Sequence, residues 1–491
     1  MDSTAPGLRS ELTSPPPHMT PEEFRQHGRE VIDWIADYWE RIESMPVAST
    51  VAPGDIRAML PDAAPEEAEP FENLLADLDR VVMPGVTHWQ HPGWFAYFPA
   101  NNSPPSVLAD TVSAGLGLIG LLWSASPALT EIESHVLDWL VDLLDLPQQW
   151  KSTSAGGGVL QGSASDSTHV AMVAARYRAR QRGSQPVERM VAYTSAQAHS
   201  SIEKGANVAG FGAVRLIETD ERFAMRPAAL RAAIDADVTA GLLPAFVCST
   251  VGTTGTTAVD PVDEIAQVAS PAGLWHHVDA AYAGTAMICE EFRHHQRGIE
   301  LVDSYVFNPH KWMMVNFDCS AFYVADRGPL TDALSITAPY LRNAASDTGS
   351  VIDYRDWQVP LGRRFRALKL WWVLRSYGAA ALREMIRHHV ALTTEFAARL
   401  TDDDRFEIVA PHPFSLVCFR CRPADDSEGA QAAADRSTDA LAAAINASGT
   451  SYLTPSKLNG RSIIRVAIGQ ARTDRRHLET LWDTIAAATG A

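Results

Sequence analysis

The stretch Trp275-His-His-Val-Asp-Ala-Ala-Tyr-Ala-Gly284, followed by Ser304-Tyr-Val-Phe-Asn-Pro-His-Lys311, decides the fold class of this chain. In each piece a short apolar run ends on polar residues, which is typical of a buried strand reaching the edge of a sheet. Similar apolar runs occur at 190–193 and 245–250, and helical patterns such as 130–144 and 167–182 alternate with them. This alternation predicts an α/β fold with a mainly parallel sheet covered by helices on both faces.

The sequence on either side of this region predicts two further units. Thr20-Pro21-Glu22-Glu23 supplies an N-cap, a first-turn proline and a capping-box acid, so a helix should begin there. After a long helical run that begins near Phe365, strands are expected at 406–410, 416–420 and 462–468. We therefore expect an N-terminal helical segment at 1–103, a large domain at 104–368 and a small C-terminal α/β domain at 369–491.

The composition excludes several classes of partner. The balance of 41 Lys and Arg against 59 Asp and Glu gives a formal charge of -18, which repels nucleic acid and anionic membranes. The N-terminus has no signal-peptide pattern, and no run of eighteen apolar residues occurs. Five cysteines without repeated metal-ligand spacing, including Cys418 and Cys421 in a predicted strand, indicate reduced thiols. We expect a cytoplasmic protein with a small-molecule partner and without a metal.

Four polar sites follow the apolar runs, where parallel sheets bind their ligands. Ser163-Ala-Ser165 opens a helix after a glycine run, and either caps that helix or offers donors to a phosphate. Asp279 is either a helix cap or the partner of a cationic ring nitrogen. Lys311 and His199 are by themselves a solvated lysine and a structural histidine. Taken together, however, they supply the phosphate cup, ring-nitrogen acid, stacking imidazole and Schiff-base lysine that pyridoxal phosphate requires.

The chain also resembles a family, the aromatic L-amino-acid decarboxylases within the group II pyridoxal-phosphate decarboxylases. The resemblance runs nearly from end to end and rests on long motifs in the family's order. These motifs are His88-Trp-Gln-His-Pro92, Phe95-Ala-Tyr-Phe-Pro99, Gln161-Gly-Ser-Ala-Ser165, Gln197-Ala-His-Ser-Ser201, His277-Val-Asp-Ala-Ala-Tyr-Ala-Gly284, Asn308-Pro-His-Lys-Trp312, Phe317-Asp-Cys-Ser320 and Pro360-Leu-Gly-Arg-Arg-Phe365.

The resemblance implies a homodimer of pyridoxal-phosphate fold type I, with a swapped N-terminal helical segment and active sites at the subunit interface. It implies that Lys311 carries the cofactor, that Asp279 pairs with its ring nitrogen and that His199 stacks on its ring. The other residues that match cofactor positions are Ser163, Ala164, Ser165, Thr254, Ala281, Asn308, His310 and Gly362. The residues that match substrate positions are Trp89, Tyr97, Phe98, Pro99, Ala100, His310 and Gly362, with Ile119 and Leu121 joining them across the dimer.

The expected reaction is decarboxylation of an aromatic L-amino acid to the arylalkylamine and carbon dioxide. Tyr340, in the small and polar stretch 337–350, matches the family position that delivers a proton to the α-carbon. Gly362 matches a family position where glycine leaves room for an indole, and Ala100 lacks a hydroxyl that many relatives carry near the substrate. Tryptophan, 5-hydroxytryptophan, L-dopa, phenylalanine and tyrosine stay open as substrates. The alternatives are an aromatic aldehyde synthase and a non-catalytic cofactor-binding paralogue.

Overall fold

The computed structural model of the chain describes residues 18–183, 186–335 and 350–490. The chain divides between His88 and Trp89 into two compact units. The first unit contains the helices Pro21–Arg41 (α1), Asp55–Ala58 (α2) and Phe71–Asp77 (α3). Thr20 and Glu23 form the expected capping box, so the predicted start of α1 is confirmed. None of the 21 residues of α1 is buried, although its apolar positions recur at helical spacing.

The second unit is built on a large sheet of seven strands. They are Gly157–Gln161 (β1), Met190–Ser195 (β2), Ala213–Ile217 (β3), Leu243–Thr250 (β4), Trp275–Asp279 (β5), Ser304–Phe307 (β6) and Ser320–Val324 (β7). Their spatial order is β1-β7-β6-β5-β4-β2-β3. The pairs among β2 to β6 are parallel, and β7 runs antiparallel to β6 and β1. The predicted mainly parallel sheet is confirmed.

Helices cover both faces of this sheet. They are Pro104–Leu116 (α4), Pro127–Leu143 (α5), Ala164–Gln181 (α6), Ser201–Ala209 (α7), Pro227–Thr239 (α8), Val262–Ala272 (α9), Pro309–Trp312 (α10), Gly328–Leu334 (α11) and Arg366–Thr401 (α12), the last interrupted at Gly378. Met190 and Ala192 of β2 pack with α6, whereas Val191 and Tyr193 pack with α8 and α9. Because successive strand residues point to opposite faces, the sheet is buried on both sides.

A second, smaller sheet forms the C-terminal part of the unit. Its strands are Phe406–Ile408 (β8), Leu416–Cys421 (β9), Thr454–Leu458 (β10) and Arg461–Ala467 (β11), in the antiparallel order β10-β11-β9-β8. The helices Glu428–Ala447 (α13) and Arg475–Ala488 (α14) accompany it. The expected small α/β unit is confirmed, while the domain boundaries at 103 and 368 stay predictions.

Part of the glycine run before Ser163 belongs to a strand. Gly157 and Gly158 lie in strand β1, and a Cβ on Gly158 would come within 2.7 Å of the Tyr323 ring. A Cβ on Gly157 would come within 2.7 Å of Trp357. These glycines therefore serve close side-chain packing against β1.

Within the described ranges, no helix is long and apolar enough to cross a membrane. The same residues contain no cluster of three or more His, Cys, Asp or Glu side chains suited to a metal ion. All five cysteines are free thiols, and four of them are buried.

Candidate active site

The polar residues expected to share a site follow strands that end at one edge of the large sheet. Because β2, β4, β5 and β6 are parallel, their carboxyl ends meet at that edge. His199 follows β2, Thr254 follows β4, Asp279 ends β5 and Lys311 follows β6. Thr250 pairs directly with Asp279 across β4 and β5.

Lys311 lies in the single-turn helix α10, which begins after its N-cap Asn308. Its Nζ is 5.4 Å from the centre of the Phe98 ring. Burial lowers the pKa of the Lys311 ammonium below its ordinary value; the charge of Asp279 raises it and that of Arg465 lowers it further. An amine with a lowered pKa is a better nucleophile near neutral pH, as carbonyl chemistry at a lysine requires.

Asp279 is a buried carboxylate at the end of β5. Its Oδ1 accepts a hydrogen bond from the Ala281 N–H at 2.9 Å. Its charge also acts on Lys311 and His199, since it raises the pKa of each against the effect of burial. A buried carboxylate is costly unless a positive group pairs with it, so this position suits a cationic partner.

His199 has a defined tautomer. Its Nδ1 accepts a hydrogen bond from the Ser201 N–H at 3.1 Å and lies 2.8 Å from Ser201 Oγ. Because an amide N–H can only donate, the proton of the neutral ring is on Nε2. Burial lowers the pKa of His199, Asp279 opposes this shift and Lys311 adds to it.

The groups that can hold a phosphate are the start of α6 and the His310 ring. Ser163 is the N-cap of this helix of 18 residues, and its Oγ accepts from the Asp166 N–H at 3.2 Å, so the predicted helix start is confirmed. Ala164 and Ser165 form the first turn, where unpaired amides and the helix dipole favour an anion. His310 accepts from the Cys319 N–H at 2.9 Å through Nδ1.

His310 and Asn308 supply two further polar side chains close to Lys311 in the chain. Burial lowers the pKa of His310 to about 3, so the ring is neutral and carries its proton on Nε2, where it can donate. Asn308 Oδ1 is buried without a hydrogen-bond partner among the described residues. A buried polar atom of this kind needs a partner. The residues around Lys311 therefore fit pyridoxal phosphate, a cofactor with polar substituents, a cationic ring nitrogen and a phosphate.

Aromatic side chains of the segment 89–99 form stacked pairs, and one of them, Phe98, lies near Lys311. The Trp89 and Tyr97 rings are stacked with their centres 5.6 Å apart and their planes at 11°. Trp89 is 38% exposed and Tyr97 is 52% exposed. Phe98 is buried near the Lys311 amine, and its ring stacks on that of Tyr282 with the ring centres 3.9 Å apart. Trp89, Tyr97 and Phe98 are called the aromatic wall below.

The remaining predicted residues are Pro99, Ala100, Ile119, Leu121, Tyr340 and Gly362. Pro99 is buried, and the carbonyl of Ala100 accepts from Gln90 Nε2 at 2.6 Å. A Cβ added to Gly362 would lie 3.8 Å from Ile119 Cγ2, so these two residues are neighbours. The Leu121 carbonyl accepts from the Arg355 N–H at 3.3 Å. None of these contacts reaches Lys311 within the described part of the chain. Tyr340 lies outside the described residues.

Two residues near the site were missed at the level of sequence. The buried Arg465 donates from Nε to the Gly255 carbonyl at 2.9 Å and from Nη2 to the Thr254 carbonyl at 2.7 Å. Asn101 donates from Nδ2 to the carbonyls of Lys311 and Gly469, each at 2.8 Å. An arginine inside the apolar strand Arg461–Ala467 was a usable signal for Arg465. Nothing local marks Asn101, because its partners lie 210 and 368 residues away.

The fold and this site define a pyridoxal-phosphate enzyme of fold type I. Over residues 53–422 the chain matches the pyridoxal-dependent decarboxylase conserved domain. The chain therefore belongs to the pyridoxal-dependent decarboxylase family, and it is a carboxy-lyase that uses this cofactor.

Individual relatives agree with this assignment. The chain is 45% identical over 472 residues to phenylacetaldehyde synthase of Arabidopsis thaliana, with 95% of this chain and 96% of that one covered. It is 44% identical over 471 residues to tryptophan decarboxylase 2 of Oryza sativa subsp. japonica, with 94% of each covered. A crystal structure of Oryza sativa TDC with PLP and tryptamine superposes with a TM-score of 0.94 at 41% identity, covering 96% of this chain and 98% of the other.

Proposed function

We propose that this enzyme decarboxylates aromatic L-amino acids to arylalkylamines and carbon dioxide. The observation that carries the proposal is the Phe98 ring of the aromatic wall, whose centre lies 5.4 Å from the Lys311 Nζ. The partly exposed rings of Trp89 and Tyr97 offer flat apolar surfaces for an aromatic side chain. The substrates named for the relatives, tryptophan and tyrosine among them, are of the same kind.

The proposed roles of the residues follow from their chemistry. When bound, pyridoxal phosphate supplies an electron sink for the pair of electrons left at the α-carbon as carbon dioxide departs. Lys311 would hold the cofactor carbonyl and release it to the substrate amine. Asp279 would keep the ring nitrogen protonated, since a carboxylate favours the charged form of a neighbouring base. His199 would stack on the ring with its Nε2–H free to orient the substrate carboxylate.

The amine keeps one carbon fewer than the amino acid, so the α-carbon must gain one proton for each carbon dioxide lost. We propose that Tyr340 donates this proton from its hydroxyl, as the resemblance implies. The aromatic wall would bind the substrate side chain, and His199 would hold the carboxylate in the orientation in which its bond to the α-carbon breaks. Ser163, Ser165, Asn308 and His310 would hold the phosphate through the helix amides and neutral donors.

The choice among aromatic substrates rests on the neighbourhood of Gly362. A Cβ at position 362 would lie 3.8 Å from Ile119 Cγ2, which is an ordinary van der Waals contact. A side chain would therefore fit there, and glycine leaves that volume empty. Ala100 adds no hydroxyl to the wall. We propose that indoles, tryptophan and 5-hydroxytryptophan, are favoured over L-dopa, phenylalanine and tyrosine.

A second candidate function is that of an aromatic aldehyde synthase, in which oxygen is consumed and peroxide and ammonia are released. The similarity to phenylacetaldehyde synthase, 45% over 472 residues, favours it. Tyr340 and His199 favour the amine, because synthases replace one or the other in the family pattern. Tyr340→Phe should therefore lower amine formation and raise oxygen-dependent aldehyde. Unchanged amine yield in that variant would contradict the role of Tyr340.

We also propose a homodimer whose partner completes the site. Leu108, Val112 and Leu116 of α4 are 45%, 42% and 56% exposed and lie on one face of the helix, and Ile119 is 57% exposed. Apolar residues exposed together mark an interface, and a second copy would bring Ile119 and Leu121 to the first copy's substrate. The same proposal has α1 exchanged between subunits. Val112→Glu should give a monomer of low activity, as measured by light scattering and turnover.

We also propose a cytoplasmic location, which the free thiols support.

The function is tested with the purified full chain and added pyridoxal phosphate. Tryptophan, 5-hydroxytryptophan, L-dopa, phenylalanine, tyrosine and, as a non-aromatic comparison, glutamate are offered separately, and amine, carbon dioxide, peroxide and ammonia are measured. We expect amine and carbon dioxide in equal amounts. Lys311→Ala is the control and should lose turnover, and full activity in this variant would refute the proposed site. Turnover of glutamate in place of every aromatic substrate would refute the substrate class.

A further inference from the structure

Two residues that face each other in the small C-terminal sheet hold the backbone of Tyr97. The Tyr97 N–H donates to Thr454 Oγ1 at 2.6 Å, and the Tyr97 carbonyl accepts from Arg465 Nη2 at 3.3 Å. Thr454 and Arg465 are direct partners in the register of β10 and β11. Both backbone polar groups of one wall residue are therefore bound by one cross-strand pair.

The chain before Tyr97 is attached to the same sheet. The Phe95 N–H donates to the Tyr452 carbonyl at 2.9 Å, and the Ala467 N–H donates to the Phe95 carbonyl at 2.9 Å. The Tyr452 N–H donates to the Gly93 carbonyl at 3.0 Å. The segment 93–97 thus lies between the start of β10 and the end of β11. Hydrogen bonds from the C-terminal sheet therefore fix the backbone of Tyr97, one member of the aromatic wall.

Tyr97 needs such support because of its backbone conformation. Its φ of +52° lies in the left-handed region, which a residue with a Cβ adopts only when the surroundings hold it there. The direction of the Tyr97 ring, which stacks on Trp89, depends on this conformation. Loss of either backbone bond would let the Tyr97 backbone relax and would turn its ring away from Trp89.

We propose that Thr454 is a positioning residue that selects the aromatic side chain of the substrate by fixing Tyr97, with Arg465 as its partner. The inference rests on the proposed aromatic substrate. Thr454 is the sharper of the two to test, because Arg465 also binds the carbonyls of Thr254 and Gly255. The Thr454 hydroxyl accepts a hydrogen bond from the Tyr97 N–H, so removal of this hydroxyl would alter the position of Tyr97 in the aromatic wall.

The test compares Thr454→Val, which keeps the shape and removes the hydroxyl acceptor, with Thr454→Ser, which keeps the acceptor. Ser456→Val, two residues further along the same strand, is the matched control. The holoenzymes are assayed with tryptophan and phenylalanine, and binding of indole-3-propionate is measured by calorimetry, because this acid has no amine and cannot react. Thermal unfolding and the absorbance of the bound cofactor report on the fold.

For Thr454→Val we expect the KM for tryptophan and the Kd for indole-3-propionate to rise about tenfold, the factor that ~1.4 kcal/mol represents. We expect kcat to stay within about twofold, because the wall binds ground state and transition state alike. Thr454→Ser and Ser456→Val should resemble the wild type.

Three outcomes would overturn the proposal. The first is a Thr454→Val variant whose KM for tryptophan and Kd for indole-3-propionate equal those of the wild type. This result would refute the role of Thr454 and leave the proposed function intact, because the enzyme still turns over tryptophan. The second is a loss of cofactor, kcat and unfolding temperature together in Thr454→Val, which shows a general structural role. The third is a wild-type enzyme that turns over no aromatic amino acid, which refutes the proposed function and this inference together.

Discussion

The substitution Glu133→Gln tests a buried ion pair that adjoins the proposed substrate region. Glu133 of α5 and Arg363 pair with both side chains wholly inaccessible, 0% and 0%. Glu133 Oε1 also accepts from the Leu160 N–H at 2.8 Å, and Arg363 Nη2 donates to the Leu160 carbonyl at 3.0 Å. Arg363 directly follows Gly362. Glutamine keeps the size and the carbonyl oxygen of the side chain, and removes the charge.

The expected cost follows from leaving the guanidinium of Arg363 buried without its counter-charge. Breaking a buried pair by removing one partner costs about 3–5 kcal/mol. Burial already lowers the pKa of Arg363, and Glu133 is the first group that opposes this shift. With an unfolding entropy of about 2.1 cal/mol/K per residue, a unit of about 400 residues loses roughly 4–6 °C in Tm.

The assay is thermal unfolding of the holoenzyme at one fixed scan rate. Glu395→Gln is the matched control, because Glu395 pairs with Arg475 while the side chains are 50% and 68% exposed. An exposed pair contributes at most about 1 kcal/mol, so this control should shift Tm by no more than about 1 °C. The double variant Glu133→Leu with Arg363→Met should recover most of the loss. Equal shifts in Glu133→Gln and Glu395→Gln would refute the reasoning.

Three further predictions concern the site. Asp279→Asn should lower kcat/KM at least about a thousandfold, because it removes the negative charge that would pair with the protonated ring nitrogen of the cofactor. Two opposite charges ~3 Å apart in an effective dielectric of about 20 attract each other by about 5 kcal/mol. Steady-state kinetics with saturating cofactor check this, and a loss below tenfold would contradict it. Because the pKa of His199 lies below its ordinary value of 6.5, the ring stays neutral as the pH falls through 6.5. The acidic limb of the kcat/KM profile should therefore lie below pH 6.5, and His199→Gln should remove it; a limb that persists in His199→Gln would contradict this assignment. Gly362→Ser fits the fold, since its Cβ would contact Ile119 at 3.8 Å, and should raise the KM for tryptophan more than that for phenylalanine; equal changes for both substrates would count against Gly362 as a selector.

Much of the site was predictable because the chemistry follows strands. The runs that became β2, β5 and β6 were visible as short apolar segments, and parallel strands present their carboxyl ends at one edge. His199, Asp279 and Lys311 could therefore be grouped before any coordinates were known. The helix start at Ser163 was also visible, because serine at an N-cap satisfies a free amide.

Other features were hidden because their causes are not local. The glycines of β1 are required by the rings of Tyr323 and Trp357, far along the chain, so the sequence showed only a glycine run before Ser163. Strand β3 carries Arg215 at its centre, which interrupts the apolar pattern, and this arginine binds the buried Asp237 of α8. In both cases a tertiary contact overrides the local preference.

The sequence by itself determined the class of fold, the edge of the sheet that carries the chemistry and the residues suited to pyridoxal phosphate. These depend on periodicity and on residue type, which are local properties. The tertiary structure alone decided the tautomers of His199 and His310, the burial of Glu133 with Arg363, and the hold of Thr454 and Arg465 on Tyr97. Each of these depends on which distant groups exclude water or offer a hydrogen bond, and such neighbours are assigned only when the chain folds.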